Sequence, residues 1–325
     1  MPNRHIAYIS YTDHEDTSLV EQGLTGLDYE MHVSVPVNIA ETIRAVRKAD
    51  LIINVAVPMP REVIVKIEFA EVILARSHGF DHIDVRSASE RGISVGKATF
   101  CANEVAEHTI MMVLACSRKL TFLNAHVRAG RWDRHTPSLL LGVPSLAGKT
   151  IGIIGLGDIG LNVSRKALAF GMRVIAYDPY IDAKETKNID VEVVDNIQTL
   201  ASLSDFVSML APLTRETSKM VSAPFFNAMK KTAFFINTSR GSTVDEKALI
   251  AALSEGVIAG AGLDVFEQEP TPSSNPLLKM DNVIVTPHSA GTSSTSIRDA
   301  QIQVGQEAAR VLNGSLPTSL VNPKF

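Results

Sequence analysis

The chain has 325 residues, 45% hydrophobic and 20% charged, with a formal net charge of −4. That length suits two domains, and the composition supplies a sizeable globular core. The slight acidity gives no electrostatic case for nucleic acid or an anionic membrane surface as a partner. The two cysteines, Cys101 and Cys116, stand in an apolar stretch without metal-ligand spacing. Reduced core thiols are therefore expected, with no disulfide and no metal site.

In chain order, Met1-Pro-Asn-Arg-His5 runs straight into an apolar stretch, without the charged-then-apolar pattern of a secretory leader. The most apolar long segment, residues 109–116, is far shorter than a membrane span. A soluble, cytoplasmic protein is expected. Apolar runs at residues 6–10, 51–57, 72–75 and 93–95 alternate with helical patterns such as 40–48 and 85–91. Residues 103–118 read as one long apolar-striped helix, able to cross from one domain to another. Further apolar runs follow at 150–154, 173–177, 206–210, 233–236, 262–265 and 283–285, then a last helix at 295–312.

These runs are continuous in apolar character, not alternating, as strands buried on both faces of a parallel sheet require. Strand and helix in regular succession predict right-handed crossovers and a doubly wound α/β fold. Two such parallel-sheet domains are expected. One comprises residues 1–98 rejoined by 289–325, and the other, 99–288, is inserted into it.

The strongest motif is Gly155-Leu-Gly157-Asp158-Ile159-Gly160, which follows an apolar strand and opens a helix. A second strand then ends in an acid, Asp178, which completes a dinucleotide-binding (Rossmann) fingerprint. Gly155 permits the tight turn, Gly157 the approach of a pyrophosphate, and Gly160 close helix packing. The amides near Asp158 and Ile159 then face the phosphates at the positive helix end. Asp178 is suited to the ribose hydroxyls and would repel a 2′-phosphate, so NAD is expected over NADP.

Downstream, an Arg, a Glu and a His stand at the ends of successive apolar runs, as Arg240, Glu269 and His288. Open α/β sheets place their sites at such carboxyl ends.

Here the chain resembles the D-isomer-specific 2-hydroxyacid dehydrogenase family, with its phosphoglycerate dehydrogenase, D-lactate dehydrogenase and glyoxylate/hydroxypyruvate reductase branches. The resemblance rests on Gly79-Phe-Asp-His-Ile-Asp84, Val105-Ala-Glu107, Gly130-Arg-Trp132, the glycine turn, and Pro212-Leu-Thr-Arg-Glu-Thr217. Asn237-Thr-Ser-Arg-Gly241, Leu263-Asp-Val-Phe-Glu-Gln-Glu-Pro270 and Thr286-Pro-His288 extend it.

It implies hydride transfer between NAD(H) and a small 2-keto or 2-hydroxy acid, in a cleft between the domains. Arg240 would pair with the substrate carboxylate, His288 would be the acid/base, and Glu269 would fix its tautomer. Asp264 and Thr238 would orient the nicotinamide carboxamide, with Gly291 also in the cofactor set, and Pro212 and Thr217 would lie along the adenosine half. The backbone of His78 and Gly79 would meet the substrate carboxylate. A homodimer built on the long helix and the arm near residues 130–141 is also implied, and His135 could then reach the partner.

Two departures stand out. His78 is bulky and titratable where small or apolar residues are usual, and it could read an extra acidic group on the substrate. Residues 97–100 lack the usual Pro-Gly turn. Two other readings stay open, an NAD-binding corepressor-like scaffold and a dehydrogenase of a simple anion such as phosphite or formate.

Overall fold

The computed structural model describes residues 4–12, 16–132, 143–181, 183–186 and 188–322. Its strands are β1 (Arg4–Ser10), β2 (Tyr29–Ser34), β3 (Leu51–Val55), β4 (Val72–Ala75), β5 (Ser94–Lys97) and β6 (Thr150–Ile154). Then come β7 (Arg173–Tyr177), β8 (Val191–Val193), β9 (Phe206–Met209), β10 (Phe234–Asn237), β11 (Gly260–Leu263) and β12 (Val283–Val285). They form a five-stranded sheet, β2-β1-β3-β4-β5, and a seven-stranded sheet, β12-β11-β10-β9-β6-β7-β8. Neighbouring strands pair in parallel throughout. The chain divides into two compact units, Met1–Cys101 with Thr292–Phe325, and Ala102–Gly291.

In the first unit β3 and β4 are buried along their whole length, so both faces need apolar side chains. Alternation sends Ala7 and Ile9 into one core and Ile6 and Tyr8 into the other. The closing helix, Ser294–Leu312, starts at a Ser293 capping box. It approaches helix Ser18–Gly23 so closely that a Cβ on Gly305 would stand 2.6 Å from the Val20 carbonyl oxygen. The strand β2 was not expected from the sequence: its residues alternate between exposed and half-buried, as suits an edge strand with one wet face. The short edge strand β8 escaped notice in the same way.

In the second unit the sheet runs outward from β6 through β7 to β8, and in the opposite direction from β9 to β12. This is the dinucleotide-binding strand order with one added edge strand, and it reverses between β6 and β9. Helix Ala102–Ser117 opens this unit and packs on its sheet, with Met112 against Gly262. It is thus a core helix of this unit. Cys101 and Cys116 are buried, and burial pushes the Cys116 thiol up to about 12, as an inert core residue requires. Among the described residues no helix is long and apolar enough to cross a membrane. His135 and residues 138–142 lie outside the described residues.

Candidate functional site

The turn after β6 lies where the strand order reverses. Gly155 has φ +94°, and a Cβ there would stand 2.5 Å from the Ala211 amide nitrogen, so only glycine fits. A Cβ on Gly160 would meet the Gly155 carbonyl oxygen at 2.3 Å, which explains the close seating of helix Asp158–Ala169 on the turn. Gly157 differs. A Cβ there would meet nothing within 4 Å, and this residue caps the helix without a side-chain bond. The amides of Asp158, Ile159 and Gly160 precede the first helical hydrogen bond, from Leu161 N to Gly157 O at 2.9 Å. Open space beside a helix N-terminus fits the pyrophosphate of NAD.

Asp178, just past β7, accepts the Leu156 amide at 2.8 Å on one oxygen and the Tyr180 amide at 2.9 Å on the other. Its carboxylate is thereby tied to the glycine turn. The Thr217 hydroxyl donates to the Pro212 carbonyl at 2.6 Å and accepts the Thr214 amide at 2.8 Å. Thr217 therefore shapes the loop beyond β9 from within.

Arg240, Glu269 and His288 follow β10, β11 and β12, three adjacent strands, so their loops lie side by side. Asn237 sets the first loop, donating to the Arg240 carbonyl at 3.0 Å and accepting the Ser239 amide at 3.0 Å. The first and second loops touch backbone to backbone, since a Cβ on Gly241 would fall 1.9 Å from the Phe266 carbonyl carbon. In the second, Glu269 Oε1 accepts the Phe266 amide at 2.9 Å while Oε2 lies 2.6 Å from His288 Nδ1. Burial pushes the Glu269 carboxyl up. The His288 and Phe266 hydrogen bonds and the charges of His288 and Arg240 outweigh that and hold it below its ordinary value.

His288 has φ +51°, a left-handed conformation uncommon outside glycine. Buried Asp264 holds it there. The Asp264 carbonyl accepts the His288 amide at 2.8 Å, and its carboxylate accepts the Ser289 and Ala290 amides, each at 2.9 Å, and the Thr286 hydroxyl at 2.5 Å. Asp264 thus spends its hydrogen bonds on the loop that carries His288. Gly291 closes that loop at the unit's edge.

Sequence reasoning overlooked His108, whose Nε2 lies 3.0 Å from the Thr286 hydroxyl and 3.7 Å from Asp264 Oδ1. A half-buried His inside an apolar helix was the available signal. Thr238 is buried with its hydroxyl 2.8 Å from that of Thr109 on the same helix.

His78 and Gly79 belong to the first unit, in the loop beyond β4. There the Ser77 hydroxyl donates to the Gly79 carbonyl at 2.6 Å and the Arg76 amide donates to the Asn54 carbonyl at 2.8 Å. His78 is half-buried.

Residues 110–290 match the family described as "D-isomer specific 2-hydroxyacid dehydrogenase, NAD binding domain". The chain is 40% identical over 295 residues to a D-3-phosphoglycerate dehydrogenase of Methanocaldococcus jannaschii, covering 90% of this chain and 55% of that protein. It therefore spans about half the length of that relative. It is 38% identical over 283 residues to a glyoxylate reductase of Korarchaeum cryptofilum, covering 86% of this chain and 85% of that one. Among solved structures it is similar to the D-lactate dehydrogenase of Aquifex aeolicus complexed with NAD and lactic acid. The TM-score is 0.84 at 28% identity, covering 98% of this chain and 99% of that one. With the strand order and glycine turn described above, these likenesses establish that the chain belongs to the D-isomer-specific 2-hydroxyacid dehydrogenase family and carries its NAD-binding domain.

Proposed function

We propose that the protein is an NAD-dependent D-2-hydroxyacid dehydrogenase acting on a small 2-keto or 2-hydroxy acid. The observation that carries this reading is the 2.6 Å contact between His288 Nδ1 and Glu269 Oε2 beside the Arg240 loop. With Nδ1 held by a carboxylate, Nε2 is the nitrogen left to serve a substrate oxygen. It donates a proton to the keto oxygen in reduction and takes it back in oxidation. Glu269 fixes the imidazole tautomer and its direction. Arg240 presents a permanently charged, forked donor to the substrate carboxylate. Gly155, Gly157, Asp158, Ile159 and Gly160 hold the cofactor pyrophosphate, and Asp178 takes the ribose side and disfavours NADP. Pro212, Thr217, Thr238, Asp264 and Gly291 line or shape the rest of that site. NADH, when bound, supplies the hydride.

In the same reading the first unit is the substrate domain, and the His78 and Gly79 backbone meets the substrate carboxylate. The His78 side chain favours substrates with a second anionic group. The enzyme works in the cytoplasm as a homodimer. An apolar groove of about 620 Å³ in the second unit, lined by Ile110, Met111, Leu114, Leu120 and Phe170, supports a partner face there.

Steady-state oxidation of NADH and NADPH across a panel of keto acids tests the reading. The panel includes glyoxylate, pyruvate, hydroxypyruvate and analogues bearing a phosphate, sulfonate or second carboxylate. Turnover of at least one 2-keto acid with NADH is expected. NADH binding with no turnover on any of them would favour a scaffold role.

A further inference from the structure

Away from the family motifs, three side chains of metal-ligating type converge on the first sheet. His5 lies on β1, and Glu30 and His32 lie on the edge strand β2. The register pairs His5 with Glu30 and Ala7 with His32, so strand alternation puts all three on one face of the sheet. Ala7 offers only a methyl opposite His32. All three ligand side chains are about half exposed or more.

Their spacing leaves room for a shared ion. His5 Nδ1 stands 3.5 Å from Glu30 Oε2, and His32 Nε2 stands 3.2 Å from Glu30 Oε1. One potential ligand atom from each residue lies within 4.8 Å of the others. A charge-assisted hydrogen bond would close to about 2.7–2.9 Å, and the His288–Glu269 pair of this same chain does close, to 2.6 Å. A tetrahedral ion with bonds of about 2.0–2.1 Å instead holds its ligand atoms about 3.3 Å apart. The two imidazoles are stacked at a 19° interplanar angle, with centroids 6.4 Å apart. Arg4, the other cation on β1, pairs with Asp50 at 3.6 Å and not with Glu30.

We propose that His5, Glu30 and His32 form a surface site for a divalent transition-metal ion of the zinc class, with water completing the shell. Two imidazoles and one carboxylate suit zinc, nickel or copper better than magnesium or calcium. The ion would staple edge strand β2 to β1 and so stabilise the first unit, apart from the hydride-transfer chemistry.

The test uses the full, untagged chain after chelator treatment, titrated calorimetrically with Zn²⁺ and with Mg²⁺ as a control. The expected result is one Zn²⁺ per chain with micromolar affinity. Saturating Zn²⁺ should raise the thermal midpoint of the wild type. His32→Ala and Glu30→Gln should abolish both the heat of binding and the thermal shift, while keto-acid turnover stays unchanged. Absence of saturable Zn²⁺ binding to the wild type would overturn the proposal. So would equal binding to His32→Ala, since the ion would then sit elsewhere.

Discussion

Glu269 holds His288 through one carboxylate oxygen, Oε2 to Nδ1 at 2.6 Å, and is itself held through the other by the Phe266 amide at 2.9 Å. A side chain anchored at both oxygens can fix the direction of an imidazole. Glu269→Gln keeps the shape and removes the charge. Its amide oxygen can still accept from Phe266, but its NH₂ then faces Nδ1 and opposes the charged imidazole. We expect kcat to fall by about 10²–10⁴ with the NADH dissociation constant unchanged. Stopped-flow turnover and fluorescence titration of NADH check this, and an unaltered kcat would remove Glu269 from the site.

The same anchoring sets a pH dependence of stability. Net of burial, hydrogen bonds hold Glu269 below its ordinary value of 4.5, and the Ser87 amide lowers Asp84 below 3.8. Asp205 behaves as Glu269 does: burial raises it, and the Thr150 amide and Lys230 lower it further than that. A carboxyl depressed in the folded state contributes stability above its unfolded value and loses it as pH falls through the folded value. The urea midpoint followed by circular dichroism should therefore be flat near neutrality and drop below about pH 4.5. A midpoint that rises on acidification would contradict these assignments.

Two glycines make opposite predictions. At Gly241 a methyl would meet the Phe266 backbone at 1.9 Å, whereas at Gly157 it would meet nothing within 4 Å. Gly241→Ala should cost about 1–3 kcal/mol or more of stability and abolish turnover, because the Arg240 and Glu269 loops are forced apart. Gly157→Ala should leave the thermal midpoint nearly unchanged and raise the NADH dissociation constant at least tenfold. Equal effects of the two changes on NADH binding would argue that the Gly157 space is not the pyrophosphate seat.

Asp264 separates orientation from binding. Its carboxylate accepts the Thr286 hydroxyl and the Ser289 and Ala290 amides, and its carbonyl accepts the His288 amide. Asp264→Asn turns an NH₂ toward a donor and should destabilise the fold by about 1–3 kcal/mol. The left-handed His288 would then relax, so kcat should fall more than KM rises. A rise in the KM for NADH with kcat intact would instead favour a direct role at the nicotinamide.

Much of this was legible in the residues. β4, β6, β7 and β12 coincide with continuous apolar runs; inside β4, β6 and β7 burial on both faces leaves little room for polar side chains, whereas edge strand β12 is half-buried to exposed and is apolar all the same. β2 was invisible because Tyr29-Glu30-Met31-His32 faces water on one side, and that alternation is also what sets Glu30 and His32 on one face for a metal. The glycine turn could be read because close backbone approach restricts the residue type. The latch on His288 could not, because Asp264 finds its partners 22 to 26 positions away, and two of the three are backbone amides that carry no side-chain signature. His108 was hidden for a related reason: its partner Thr286 is 178 positions distant.

The most direct measurement of the central claim pairs NADH binding with single-turnover reduction of the best keto acid by wild type and His288→Ala. The account predicts an unchanged NADH dissociation constant and a hydride-transfer rate lowered by about 10²–10⁴. An undiminished rate in His288→Ala would contradict the assignment of His288 as the group that moves the proton.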